Sequence, residues 1–338
     1  MAPSSTTEST TVNEGNNQTI FAVHPDIIRS HILNRLDGPT LASVACASSQ
    51  LSGLCAEETI WRKICIATWP STENPLVQDV VANFPGGHRS LFSDSFPYLT
   101  YSSHIKPSDR SFPSGDLISA IDIYYQDKLI FSRVHMTETQ ASWFLCSPLW
   151  VELIDPEDPV PTPVIYARSD EEFPKQLEDN LTLSWIVIDP IRKRAANLSS
   201  RRPVLVQRHW MTRDLDVLFA VVMASDEGSS ELVQFKINVT CCGKVGGDMH
   251  VREVNLMVED MDGRHVNGKE SIVILQSAME NGKRKKVNEE DVKVNFDKFT
   301  SLKKKRRKMK LRIDKAMDAA STVIATTMFV FLCWFMFG

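Results

Sequence analysis

HPDIIRSHILNRLDGPTLASVACASSQLSGLCAEETIWRKIC, residues 24–65, is the stretch that decides how the rest of the chain is interpreted. Its apolar residues recur at helical spacing, and Asp37-Gly38-Pro39 interrupts them. This pattern predicts three short helices. Helices this short leave much of their apolar surface in solvent, because a small chain has a high ratio of surface to volume. We therefore expect a partner protein to cover part of that surface.

The first of these helices is predicted to begin at Pro25 and to place Ile28, Ile32, Leu33 and Leu36 on one face. Burying an Ile or Leu side chain is worth about 1.5–3 kcal/mol, so a few such residues supply most of a stable docking energy. The alternative is a helical hairpin packed on the rest of the same chain.

The residues that we expect at the partner surface are the proline and the large apolar side chains of the three predicted helices. They are Pro25, Ile28, Ile32, Leu36, Leu41, Val44, Trp61 and Ile64. Trp61 and Ile64 either contact the partner or hold the helices together, and the sequence leaves both roles open.

The order of this proline, the Ile and Leu series, a run of small residues and the Ile60-Trp61 pair resembles the F-box. The whole chain resembles a plant F-box protein. That resemblance implies docking onto a Skp-type adaptor, and through it onto the cullin and RING proteins of a ubiquitin ligase. The chain would then be a non-catalytic receptor that recruits a target for ubiquitination and degradation. The alternative is a membrane-anchored lectin-like or scaffold protein that recruits no ligase.

Composition and charge limit the other functions. The 338 residues carry a formal net charge of −4, which argues against general nucleic-acid binding. The seven cysteines are odd in number and form no C-x-x-C pair, so we expect reduced thiols, no structural metal and no cofactor. The sequence contains no HExxH, GxSxG or phosphate-binding loop, which argues against a catalytic centre.

After residue 115 the apolar pattern changes to a period of two, which is typical of strands with one buried face. We expect strands at 117–125, 128–135, 142–154, 181–188, 203–210, 215–223, 232–241, 250–259 and 271–277. Because no amphipathic helix interrupts them, they predict an antiparallel sandwich and place the whole chain in the α+β class.

The strand order of 182–190 and 253–275 is similar to that of phloem lectins, which some plant F-box proteins carry. That similarity implies a domain that binds glycan or a glycoprotein. The alternative is a sandwich with a protein-binding surface, and in either case the target is an unknown protein.

The C-terminal residues 319–338 contain no charge, and a helix of about 20 residues matches the apolar thickness of a bilayer. Nine Lys and Arg residues at 303–315 precede them and should stay on the cytosolic side. We expect a single-pass tail anchor that leaves the rest of the chain in the cytosol. The basic run is alternatively a nuclear localisation signal, which would place the chain in the nucleus or cytosol.

These patterns divide the chain into six regions. They are a disordered N-terminus at 1–20, an F-box at 21–69, a linker with short helices at 70–115, a β-sandwich-like substrate-binding domain at 116–280, a basic linker at 281–315 and a transmembrane tail anchor at 316–338.

Overall fold

The computed structural model describes residues 23–100, 115–155, 157–167, 172–224, 232–285 and 289–337. The predicted disordered N-terminus, residues 1–20, lies outside this part of the chain. The fold divides into two units, Met1–Ile64 and Cys65–Gly338.

The described part of the first unit is helical. It begins with a short α-helix, α1, that continues as a π turn and a 3-10 turn. Three further helices follow, and the last one crosses into the second unit. The bounds are Pro25–Ile27 for α1, Ile28–Ile32 for the π turn, Leu33–Arg35 for the 3-10 turn, Gly38–Ala45 for α2, Ser49–Cys55 for α3 and Glu58–Thr68 for α4.

Helix α3 was not predicted as a separate helix. It begins at Ser49 because the Ser48 hydroxyl accepts a hydrogen bond from the Leu51 amide at 3.2 Å, which satisfies one of the first free N–H groups. Helix α2 begins in the same way: the Asp37 carboxylate accepts from the Thr40 amide at 2.9 Å.

The second unit begins with short helices and then becomes a β-rich domain. The bounds before the first sheet are Pro70–Glu73 for a 3-10 turn, Pro75–Val81 for α5, Gly87–Ser95 for α6 and Tyr98–Thr100 for β1. The elements that follow are β2 Leu117–Tyr125, β3 Lys128–Thr137, α7 Ser142–Cys146, β4 Trp150–Glu152, β5 Val160–Ile165, α8 Glu172–Asn180, β6 Leu181–Asp189, β7 Arg194–Asn197, β8 Leu205–Arg208, β9 Leu215–Ala224, β10 Leu232–Gly243, β11 Asp248–Asp260, α9 Gly268–Asn281, β12 Lys283–Lys285 and α10 Glu289–Phe337.

Strands β1 and β12 form a separate antiparallel pair, and two larger antiparallel sheets build the domain. The first has the order β3-β2-β6-β7, and the second has the order β4-β11-β10-β9-β8 with β5 also paired to β11. Side chains from both sheets belong to one hydrophobic core, which includes Trp185 of β6 and Phe235 of β10. The indole N–H of Trp185 donates to the Ser119 hydroxyl at 3.1 Å, so its polar atom is satisfied inside the core. The predicted α+β class with antiparallel sheets is confirmed.

The predicted strand at 271–277 is wrong, because this segment is part of helix α9. The Asn267 side chain accepts a hydrogen bond from the Glu270 amide at 2.8 Å and so caps the helix. Asn at the cap with Glu three residues later is a helix-start signal, and the alternation of Ile and Val concealed it. Ile272 and Leu275 of the helix pack into the shared core.

The predicted strand at 142–154 is wrong in its first half, where helix α7 lies, and only β4 is a strand. Strands β5 and β7 and helix α8 were not predicted. Strand β5 contains Pro161 and Pro163, which lower strand propensity, but it pairs with β11 on one side only, where proline is tolerated.

Helix α10 packs along the outer side of the second sheet before it leaves the domain. Val292 and Phe296 pack against Val204, Leu218 and Ala220. Two ion pairs fix its next turns: Lys303 Nζ lies 2.9 Å from Glu259 Oε1, and Arg306 Nε lies 3.0 Å from Asp262 Oδ1. Residues 304–332 of the helix are all exposed.

Asp122 of β2 is a buried carboxylate that links the 3-10 turn at Pro70–Glu73 to the first sheet. Its Oδ1 accepts from the Ser71 amide at 3.0 Å and from the Ser132 hydroxyl at 2.7 Å, and its Oδ2 accepts from the Ser71 hydroxyl at 2.5 Å. Burial raises the pKa of Asp122 above its ordinary value of 3.8, and these hydrogen bonds oppose that rise.

Because the pKa of Asp122 is raised, the folded chain holds a proton more tightly than the unfolded chain. The contribution of Asp122 to the free energy of unfolding should therefore fall as the pH rises from about 3.8 through the raised pKa, and stay constant above it. Asp122→Asn should remove this slope, measured by urea unfolding at a series of pH values above 3.8. Asp79→Asn, at an exposed carboxylate, is the control, and an unchanged slope in Asp122→Asn would contradict the assignment.

Candidate functional site

The π turn at Ile28–Ile32 decides which side chains of the first helical segment are exposed. The Leu33 N–H bonds back to the Ile28 carbonyl, five residues earlier, so residues five apart occupy similar sides of the segment. Ile28 and Leu33 are both buried, whereas Ile27 and Ile32 are 49% and 39% exposed. The prediction that Ile28, Ile32, Leu33 and Leu36 share one face is wrong, because it assumed 3.6 residues per turn.

The predicted site residues separate into two groups. Ile28, Leu41 and Trp61 are buried. The Trp61 indole N–H donates to the Cys55 carbonyl at 2.6 Å, at the C-terminal end of α3, where a backbone carbonyl has no partner within the helix. Trp61 therefore closes α3 onto α4, and these three residues stabilise the helices.

The other five predicted residues reach the surface. Pro25 and Ile32 are exposed, and Leu36, Val44 and Ile64 are half-buried. Ile27 is also exposed, which the sequence pattern did not predict because nothing in it marks a π turn. We refer to Pro25, Ile27, Ile32, Leu36 and Val44 as the exposed apolar set.

Polar contacts hold the start of the first segment in place. The Arg29 guanidinium lies 2.9 Å from Asp26 Oδ1 and 2.5 Å from Glu57 Oε1, so it links the first segment to the residue before α4. The His24 ring accepts from the Asp26 amide at 3.3 Å and caps α1. Ile27 therefore lies on a segment that the Arg29–Glu57 ion pair links to the start of α4.

The ranges that the structure describes contain no group of three or more His, Cys, Asp and Glu residues that could hold a metal ion. In the same ranges a single helix, Glu290–Phe337, is long and apolar enough to cross a membrane, with a mean hydropathy of 1.9 in its most apolar window. Length and composition alone support that assignment.

Comparison with known proteins identifies the family. The chain is 42% identical to F-box protein At3g44326 of Arabidopsis thaliana, over 98% of this chain and 96% of the relative. It is 44% identical to the same plant's Probable F-box protein At2g36090, over 98% and 96% of the two chains. It is 40% identical to F-box protein At2g27310 of that plant, over 95% and 97%. The chain belongs to the plant F-box protein family.

No family model and no solved structure matches this F-box protein. The similarity to the named relatives covers the helical unit, the β-rich domain and the C-terminal helix together, because it extends over nearly the whole of each chain. The resemblance stated from the sequence of the N-terminal helices is confirmed.

Proposed function

We propose that this F-box protein is the substrate-receptor subunit of a Skp–cullin–F-box ubiquitin ligase and that its C-terminal helix tethers it to a membrane. The observation that carries the proposal is the exposed apolar set on the N-terminal helices. Ile27 and Ile32 stay in solvent although Ile28 and Leu33, their neighbours in sequence, are buried. A Skp-type adaptor is the partner that would cover them.

The burial of each residue sets its role in the complex. Ile27 and Ile32 each retain roughly half of their side-chain surface, so covering each is worth about 1 kcal/mol. Leu36 and Val44 add smaller amounts because they are half-buried. The buried residues Ile28, Leu41 and Trp61 hold together the helices that carry this set. Ile64 is half-buried, so part of its side chain supports the helices and part reaches the surface.

The mechanism is proximity rather than chemistry within the chain. The β-rich domain holds a target protein, and the adaptor connects the N-terminal helices to the cullin and to the RING protein that recruits a ubiquitin-charged enzyme. Holding both on one scaffold raises the effective concentration of target lysines at that enzyme. The receptor contributes no catalytic group.

The C-terminal part of α10 supports membrane tethering on the cytosolic face. The uncharged residues 319–332 and 334–337 are exposed on every side of the helix, which is unfavourable in water and favourable in lipid for a segment this apolar. The basic residues at 303–315 precede this span and favour an anionic cytosolic leaflet by about 1 kcal/mol for each charge close to the surface. About 20 Å of helix separates Arg306, the last residue paired to the domain, from Ala319.

The adaptor contact is tested with the chain that lacks residues 316–338. Ile32→Asp with Leu36→Asp should abolish copurification of a Skp-type adaptor, because the two carboxylates would be desolvated in an apolar contact. The thermal unfolding midpoint should change little, since Ile32 is exposed and Leu36 is half-buried.

Leu76→Asp is the matched control, because Leu76 of α5 is 38% exposed, nearly the same exposed fraction as the 39% of Ile32. It should leave adaptor binding unchanged. Equal adaptor binding by the double variant and the parent chain would contradict the proposal. A parent chain that binds the adaptor without a cullin would support the scaffold alternative.

The membrane tether is tested by carbonate washing of membranes that carry the full chain. Deleting residues 316–338 should release the protein into the supernatant. Met328→Arg should weaken retention without shortening the helix, because a central charge costs about 2.5–3.5 kcal/mol in a membrane span. Leu129→Arg, at a 42% exposed position of β3 outside the span, is the control. Retention of the deleted chain at the level of the full chain would rule out the anchor.

A further inference from the structure

The loop between β8 and β9 presents a large aromatic side chain to solvent. Trp210 is 81% exposed and Met211 beside it is 66% exposed. Trp is among the side chains with most apolar surface to bury, and it is enriched at the energetic centres of protein interfaces. Val245, in the hairpin between β10 and β11, is 59% exposed at the same end of the sheet.

Hydrogen bonds fix the shape of the Trp210 loop. The His209 amide donates to the Asp214 carbonyl at 2.8 Å, and the Arg213 amide donates to the His209 carbonyl at 3.0 Å. The Thr212 amide donates to the His209 ring at 3.2 Å. Arg213 has a φ of +65°, a left-handed conformation that lets the chain turn back. A loop held in this way loses little conformational entropy when a partner binds.

A cavity of about 400 Å³ adjoins the loop and extends to Val245. The Tyr166 hydroxyl in its wall donates to the Arg213 carbonyl at 3.2 Å, and Arg208 Nη1 lies 3.1 Å from that hydroxyl. These hydrogen bonds from the wall of the cavity hold the loop in place. The cavity is large enough to receive a side chain of a partner.

The described residues that line the cavity carry a net positive charge. Arg208 and Arg213 line it, and Lys244 is exposed next to Val245. The carboxylate in the described lining, Asp214, forms an ion pair with Arg252. The exposed side chains of Trp210, Met211 and Val245 are bordered by these cationic groups. Such a surface complements a segment that carries carboxylates beside a large apolar side chain.

The position of the loop favours a protein partner over the bilayer. Helix α10 leaves the domain after the Arg306–Asp262 ion pair, at the end of the sheet where Val233 of β10 pairs with Asp260. The Trp210 loop lies at the opposite end, where Cys241 of β10 pairs with Leu215. Strand β10, Leu232–Gly243, covers about 35–40 Å between the two ends.

We propose that Trp210, Met211 and Val245, with the adjoining cavity, form the target-docking surface of this receptor, and that they bind an acidic peptide segment with a large apolar side chain. This inference rests on the proposed receptor function and names the class of target. Trp210 and Met211 supply the apolar contact, and Arg208, Arg213 and Lys244 select the acidic flanks.

The test measures fluorescence polarisation of labelled peptides with the full chain in detergent micelles. One peptide has a single Phe flanked by Glu residues, a second has Ala in place of Phe, and a third has Lys in place of Glu. We expect the first to bind, and the other two to bind about tenfold or more weakly.

Trp210→Ala with Met211→Ser should weaken binding of the first peptide about tenfold or more. The control is Trp143→Ala with Met136→Ser, because these residues are 66% and 49% exposed elsewhere on the domain. Val245→Ser is a second, milder variant, expected to lower the affinity by a smaller factor. Equal binding by the Trp210 variant and the parent chain would overturn the inference, as would failure of the first peptide to bind.

A photo-crosslinking residue at position 245, with Trp210 and Met211 retained, separates the remaining alternative. In the full chain reconstituted in phosphatidylcholine and phosphatidylserine vesicles, cross-linking to the first peptide supports the inference, and cross-linking to lipid overturns it. Adaptor copurification is measured on the same preparations. If the full chain binds the adaptor but not the first peptide, only the docking surface is refuted. If it binds the first peptide but not the adaptor, only the receptor function is refuted.

Discussion

The N-terminal helices carry more large apolar side chains than so few residues can cover. Leu33, Leu41 and Trp61 take the interior of the helical unit. The π turn then leaves Ile27 and Ile32 on the outside, because it separates residues that a regular helix would place together. This limit on burial gives the unit its exposed apolar set, and the receptor function proposed for the chain depends on it.

The β-rich domain is fastened by buried polar groups as well as by its core. Asp94 of α6 accepts from Arg194 at 2.9 and 3.0 Å, and Arg284 lies 3.1 Å from the same carboxylate. These contacts join α6 to β7 and to β12. Asp122 links the 3-10 turn at Pro70–Glu73 to the first sheet through its hydrogen bonds with Ser71 and Ser132. Since a buried charge left without its partner is costly, such links hold the short helices against the sheets.

The two ends of the second sheet differ in what they offer. One end carries the acidic side chains that pair with Lys303 and Arg306, and the long helix leaves the domain there. The other end carries the rigid Trp210 loop and its cationic border. In a membrane-tethered receptor this arrangement points the loop into the cytosol, where a target protein would be met.

The sequence predicted the antiparallel strands and the F-box because each depends on local, repeated features. Alternation along β9 and β11 requires one buried face wherever the strands lie, and the Pro and Leu spacing marks the N-terminal helices. Helix α9 was mistaken for a strand because the short apolar run from Ile272 to Leu275 has no periodicity that separates a buried strand from a buried helix. The exposure of Ile27 depends on the π turn that follows it, in which a backbone hydrogen bond spans five residues. The side-chain pattern does not predict such a bond. The Trp210 surface needs two loops distant in sequence, so only the folded sheet brings it together.

Hydrogen exchange of the backbone amides of residues 25–45, with and without a purified Skp-type adaptor, measures whether the adaptor covers the exposed apolar set. We expect the adaptor to slow exchange in the π turn and in α2, and to leave the amides of β9 to β11 unchanged. Unchanged exchange throughout residues 25–45 at saturating adaptor would contradict it.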